Sequence, residues 1–193
     1  MKSSLRDLLV EALRLWGQEA FFRYSDSEVA CTVRVYHWSV HVIRNNPRWA
    51  IYRMQYDGPQ PTREMCEGVE DPARASRPDL NISVGQDVVV HVEAKRLKAS
   101  GGLPRKYVTE GMRRFVDGRY ETTSCGLGGM LGYILEDDPI QVIDLVNKTI
   151  VAEPDFGPTA VLRSRGRQAP EILEHTSDHA GFELHHFTLD LRS

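Results

Sequence analysis

Apolar residues recur along this chain in two rhythms, one of three to four residues and one of two, and the switches between them mark its elements. Leu5, Leu8, Leu9, Ala12, Leu13, Leu15 and Trp16 keep the first rhythm and predict a helix from about Ser4 to Phe22, capped by Ser3 or Ser4. Tyr24-Ser25-Asp26 breaks it. A second helix is expected from about Ser27 to Asn45, capped by Ser25 or Asp26 and stopped by Asn45-Asn46-Pro47. Its apolar positions Val29, Val33, Tyr36, Val40 and Ile43 describe one buried stripe, although its β-branched content would also suit a strand.

The rhythm of two begins at Trp49–Tyr56, a strand leading into Asp57-Gly58-Pro59. Residues 60–76 are polar and read as a long loop with one short helix at Thr62–Cys66. Such a loop suits either a flap beside a site or an ordinary connection. Two strands follow, LNISV and VVVHVEA, joined by a Gly85-Gln86-Asp87 turn. Alternation puts Leu80, Ile82 and Val84 opposite Asp79, Asn81 and Ser83. In the second strand Val88, Val90, Val92 and Ala94 lie opposite Val89, His91, Glu93 and Lys95. Paired as a hairpin, the strands bring Asp79, Glu93 and Lys95 to one end of a sheet. Two close carboxylates repel unless a cation joins them, and oxygen ligands of this kind suit Mg²⁺ or Mn²⁺.

Pro78-Asp79, a hydrophobic strand and then Glu93-Ala94-Lys95 resemble the signature of the PD-(D/E)xK nuclease superfamily. The resemblance covers roughly residues 28–135. It implies an α/β restriction-endonuclease-like sandwich, a mixed central β-sheet flanked by helices, in one domain over residues 1–193. It also implies a Mg²⁺-dependent (or Mn²⁺-dependent) nuclease in which Asp79, Glu93 and Lys95 are catalytic. Asp79, Glu93 and the carbonyl of Ala94 would ligate the metal. Members often add an acidic ligand from an earlier helix, a place that Glu28 or Glu11 could fill; Glu28 also suits a helix amino terminus without any metal. The plain alternative for Glu93 and Lys95 is a same-face ion pair on a surface hairpin.

The next stretch is basic. Arg96, Lys98, Arg105, Lys106, Arg113, Arg114 and Arg119 follow Lys95, and Arg105–Tyr120 is expected as a helix with Tyr107, Met112, Phe115 and Val116 inward. Charge runs are usually solvated faces, but beside the Glu-x-Lys strand this one suits phosphate contact by Arg96, Lys98, Arg105, Lys106, Arg113 and Arg114. Gly126–Gly129 open the buried strand MLGYIL, with no phosphate-loop signature after them. A helix from Asp138 to about Ala152, a loop from Pro154 to Pro170 carrying Arg163, Arg165 and Arg167, and a strand from Phe182 to Leu191 complete the chain. His175, His179, His185 and His186 are expected on the surface and on an edge strand, and His37 and His41 as a hydrogen-bonded or solvated pair.

Composition narrows the function. The 193 residues are 41% hydrophobic, enough for one core, and no apolar run reaches the length of a membrane span. The acidic residues within the first helix do not fit a secretory signal, and three scattered cysteines suit a reducing, cytoplasmic setting. A net charge of −3 makes any nucleic-acid surface local. The expected partners are nucleic acid, with DNA preferred, and either a second copy or the subunits of a defence complex, with no membrane. Small nucleases of this kind resemble prokaryotic restriction or phage-defence components. The alternative is an inactive nuclease-like protein that binds nucleic acid or acts as an adaptor in a larger complex.

Overall fold

The computed structural model describes residues 2–18, 27–59, 61, 63–85, 88–122, 125–169 and 171–192. Two helices come first, α1 (Lys2–Gly17) and α2 (Glu28–Asn45). Then follow β1 (Tyr52–Tyr56), the single turn α3 (Arg63–Cys66), β2 (Leu80–Val84) and β3 (Val88–Leu97). A helical segment runs through α4 (Leu103–Lys106), a π-helical stretch (Tyr107–Met112) and α5 (Arg113–Val116). It leads to β4 (Leu127–Ile134), α6 (Pro139–Ala152), β5 (Arg163–Ala169), β6 (Ile172–His179) and β7 (Phe182–Asp190).

Among the described residues, seven strands form one mixed sheet in the order β1-β2-β3-β4-β7-β6-β5. The central pairs, β3 with β4 and β4 with β7, are parallel; the pairs on either side are antiparallel. A parallel centre needs cover on both faces, and every residue of β4 is buried. Leu8, Leu9, Ala12, Leu13 and Trp16 of α1 and Cys31, Val35 and Val42 of α2 cover one face, over Ile82, Val90, Val92 and Leu131. Tyr107, Val108, Met112 and Phe115, with Val142, Val146 and Ile150 of α6, cover the other over Leu97, Met130, Ile134 and Leu184.

Several expectations change. Helix α1 ends at Gly17, and residues 19–26, with the caps expected at Ser25 or Asp26, lie outside the described residues. Ser27 caps α2 instead, its Oγ accepting from the Ala30 N–H at 3.2 Å. The buried stripe of α2 is Cys31, Val35, Ser39 and Val42, while Val29 and Val33 are 60% and 39% exposed. Both stripes have helical spacing, and only packing against the sheet decides between them. Trp49 belongs to a 3₁₀ turn before β1. The expected loop at 154–170 contains β5, and β6 was not expected at all. Strand β5 has no apolar alternation and is broken by register shifts at Gly166 and Ala169. With β5 at the edge, β6 and β7 are interior strands, so His175 and His186 are buried, contrary to their expected surface position.

Gly126 and Gly128 have different roles. Gly126 makes the turn, at φ +63°, whereas Gly128 lies inside β4 under α5. A Cβ on Gly128 would stand 2.5 Å from Leu184 Cδ2 and 2.6 Å from Phe115 Cε1. Gly128→Val is expected to cost roughly 1–3 kcal/mol by overpacking, read as a lower urea midpoint with an unchanged slope. An unchanged midpoint would contradict this close packing.

Candidate active site

Strand β2 ends before β3 does. Leu80 pairs with Val92, and β3 then continues through Leu97 with only β4 beside it. An edge left this way presents backbone groups that need partners. Two carboxylates meet that need. Asp79 Oδ2 accepts the Ala94 N–H at 2.7 Å, and Glu28 Oε2 accepts the Arg96 N–H at 2.8 Å. The first comes from the residue preceding β2, the second from the first turn of α2.

Glu93 and Lys95 point to the face covered by the π-helical stretch and α5. Glu93 is fully buried and has three donors. Lys95 Nζ and Arg114 Nη1 approach Oε1 at 2.6 and 2.7 Å, and Tyr120 Oη donates to Oε2 at 2.6 Å. Arg114 also donates to Tyr120 Oη at 2.8 Å. Lys95 Nζ further donates to the Ala94 carbonyl at 2.8 Å and lies 3.4 Å from Glu28 Oε1. Gly111 leaves room beside it, since a Cβ there would stand 2.6 Å from Met130 Cε and 3.6 Å from Lys95 Cγ.

The charges are coupled. Burial, and then repulsion from Glu93, push Asp79 up from 3.8 to about 6, against the pull of the Ala94 N–H and Lys95. Burial works against the charge on Lys95, but Glu93, Glu28 and Asp79 together hold its ammonium above the ordinary lysine value. Tyr120 is driven well above the usual phenol range by burial and by Glu93, so it stays a donor. Three carboxylates thus face two cations, Lys95 and Arg114, and one negative charge is in excess. Beside them His91, whose pKa burial lowers, lies 2.6 Å from Asn81 Oδ1 through Nδ1.

Asp79, Glu93, Ala94, Lys95 and Glu28 therefore come together. Glu11 does not join them: its Oε2 accepts from Trp49 Nε1 at 3.3 Å. The basic residues divide. Arg96 points to the α2 face, where its charge acts on Cys31. Lys98 pairs with Glu136. Arg113 is fixed by Glu153 at 2.7 Å and Asp155 at 2.5 Å. Arg105, 4.0 Å from Glu153, and Lys106 are exposed, and Arg114 belongs to the site itself. No motif in the sequence points to Tyr120. It reaches Glu93 across 27 positions, after a turn at Gly118 (φ +71°), a relation that no local spacing reveals.

Among the described residues no three His, Cys, Asp or Glu side chains stand together as a ready-made metal site. What the site offers a hard cation is the chemistry of its donors, two carboxylates and a backbone carbonyl. The Lys95 ammonium lies between Glu93 Oε1, the Ala94 carbonyl and Glu28 Oε1, all oxygen donors of the type that binds Mg²⁺ or Mn²⁺. Comparison with known proteins returns no matching family model, no matching curated protein and no matching solved structure.

The neighbouring arginines are expected to differ sharply. Arg114→Ala strips a donor from a buried carboxylate and should cost about 2 kcal/mol or more. Arg113→Ala breaks two ion pairs whose carboxylates, unlike Glu93, water still reaches, and should cost about 1 kcal/mol or less. Urea unfolding of both variants checks this, and equal losses would contradict the separation.

Proposed function

We propose that the chain is a Mg²⁺-dependent nuclease of the restriction-endonuclease-like kind, with Mn²⁺ as a substitute ion and DNA as the preferred substrate. The observation that carries this reading is the meeting of Asp79, Glu93, Lys95 and Glu28 at the unpaired end of β3. On this reading Asp79, Glu93 and the Ala94 carbonyl hold the metal, and Glu28 adds a further oxygen. Bound there, the ion would acidify a water molecule and offset charge on the phosphate. Lys95 donates a hydrogen bond to the attacking water and neutralises charge growing on the phosphate oxygens. Arg114 and Tyr120 keep the Glu93 carboxylate turned. Arg105 and Lys106 attract the phosphate backbone without reading sequence. A restriction or phage-defence role rests on the resemblance of the signature alone.

One observation favours a second reading. Both Glu93 oxygens already have donors, which is also what a purely structural buried carboxylate requires. The chain would then bind nucleic acid without cutting it, as an adaptor in a larger complex.

The deciding assay offers single- and double-stranded DNA and RNA to the protein with and without Mg²⁺. Mg²⁺-dependent cleavage is expected, falling by about a hundredfold or more in Asp79→Ala and Glu93→Ala. Binding without cleavage would select the second reading, and full cleavage in either variant would overturn the site. With Ca²⁺ replacing Mg²⁺, Arg105→Ala combined with Lys106→Ala should weaken binding equally across unrelated sequences and flatten its salt dependence.

A further inference from the structure

Lys95 is the second residue after Glu93 on β3, and alternation alone would make the two an ordinary same-face pair. What sets them apart is where the ammonium sits. It is 2.6 Å from Glu93 Oε1, 2.8 Å from the Ala94 carbonyl and 3.4 Å from Glu28 Oε1. The three protons of an ammonium match three acceptors. Those acceptors are two carboxylates and a backbone carbonyl, the donor set that a hard divalent cation prefers. Lys95 is only 12% exposed in its side chain and Glu93 is fully enclosed, so bulk water screens this arrangement poorly.

We infer that Lys95 guards the site: its ammonium holds the place of the divalent cation and must leave before the ion can load. The inference rests on the metal-dependent reading above and adds to it a regulation of the same site. Lys95 and Arg114 already share Glu93 Oε1. A divalent ion added to both would set four positive charges against the three carboxylates, whereas the ion and Arg114 alone balance them, so lysine and metal compete rather than cooperate in binding.

The remaining contacts make such an exchange feasible. When Lys95 withdraws, Glu93 keeps Arg114 on Oε1 and Tyr120 on Oε2, and is not left as a buried carboxylate without donors. The Ala94 N–H keeps Asp79, and the Arg96 N–H keeps Glu28, so the strand edge stays satisfied. A lysine stem of four methylenes can swing its charge without moving the backbone. Gly111 faces that stem without a side chain of its own. Released from the carboxylates, the ammonium is free to meet a phosphate. Lys95 therefore couples loading of the ion to readiness for substrate.

The test measures Mn²⁺ binding by calorimetry, with no substrate, in the wild type, Lys95→Met, Lys95→Gln and Glu93→Ala. A guard predicts that both Lys95 variants bind Mn²⁺ at least about tenfold more tightly than the wild type, while Glu93→Ala binds more weakly. Lys95→Gln retains a donor for Glu93 and serves if the Met variant fails to fold. Unchanged or weaker binding in the Lys95 variants, with measurable binding in the wild type, overturns the guard and leaves the metal-dependent reading standing. Absence of Mn²⁺ binding in all four proteins overturns both.

Discussion

The structure turns on one unpaired strand edge. Past Val92, β3 loses β2 as a neighbour, and its free N–H groups at Ala94 and Arg96 are taken by Asp79 and Glu28. Leaving buried backbone donors unmet costs about as much as a lost hydrogen bond each, so something must cover that edge. Covering it with carboxylates solves the backbone problem and creates an electrostatic one. Two acids from distant parts of the chain now lie beside the buried Glu93. The surrounding elements respond to that excess: Lys95 from the strand itself, and Arg114 and Tyr120 from the segment that crosses above.

That crossing segment also explains the fate of the basic run. A parallel β3–β4 pair requires a crossover, and residues 103–116 supply it over the face that carries Glu93 and Lys95. One side of the segment must therefore be apolar, with Tyr107, Met112 and Phe115 in the core. Its arginines are sorted by where the helical turns leave them. Arg114 meets Glu93, Arg113 meets the acidic loop after α6, and Arg105 and Lys106 remain in solvent. A run that looks uniform in the sequence thus combines a site residue, a structural tie and an exposed cationic face.

The hairpin was legible because strand alternation is strict. Once LNISV and VVVHVEA pair, Asp79, Glu93 and Lys95 have no choice of face. Helix α2 was legible in extent but not in orientation, since Val29–Val33–Tyr36–Val40 and Cys31–Val35–Ser39–Val42 are spaced alike and only the sheet decides between them. Strands β5 and β6 were missed for a different reason. Their residues, RSRGRQA and ILEHTSDH, are polar where a strand pattern should be apolar, and Glu174, His175 and Ser177 are buried in polar form. The contacts of Glu93 with Arg114 and Tyr120 span 21 and 27 residues and leave no trace in local spacing.

The claim that the three carboxylates form one coupled site is tested most directly by the titration of Asp79, followed through its carboxyl carbon by NMR. Its folded value is raised from 3.8 to about 6. The folded protein therefore keeps this proton where the unfolded chain has lost it, and stability from Asp79 declines as pH rises between those values. The account predicts a midpoint near 6 in the wild type. It also predicts a lower midpoint in Glu93→Gln, where burial remains but the repelling charge is gone. A wild-type midpoint near 3.8, unmoved by Glu93→Gln, would contradict it.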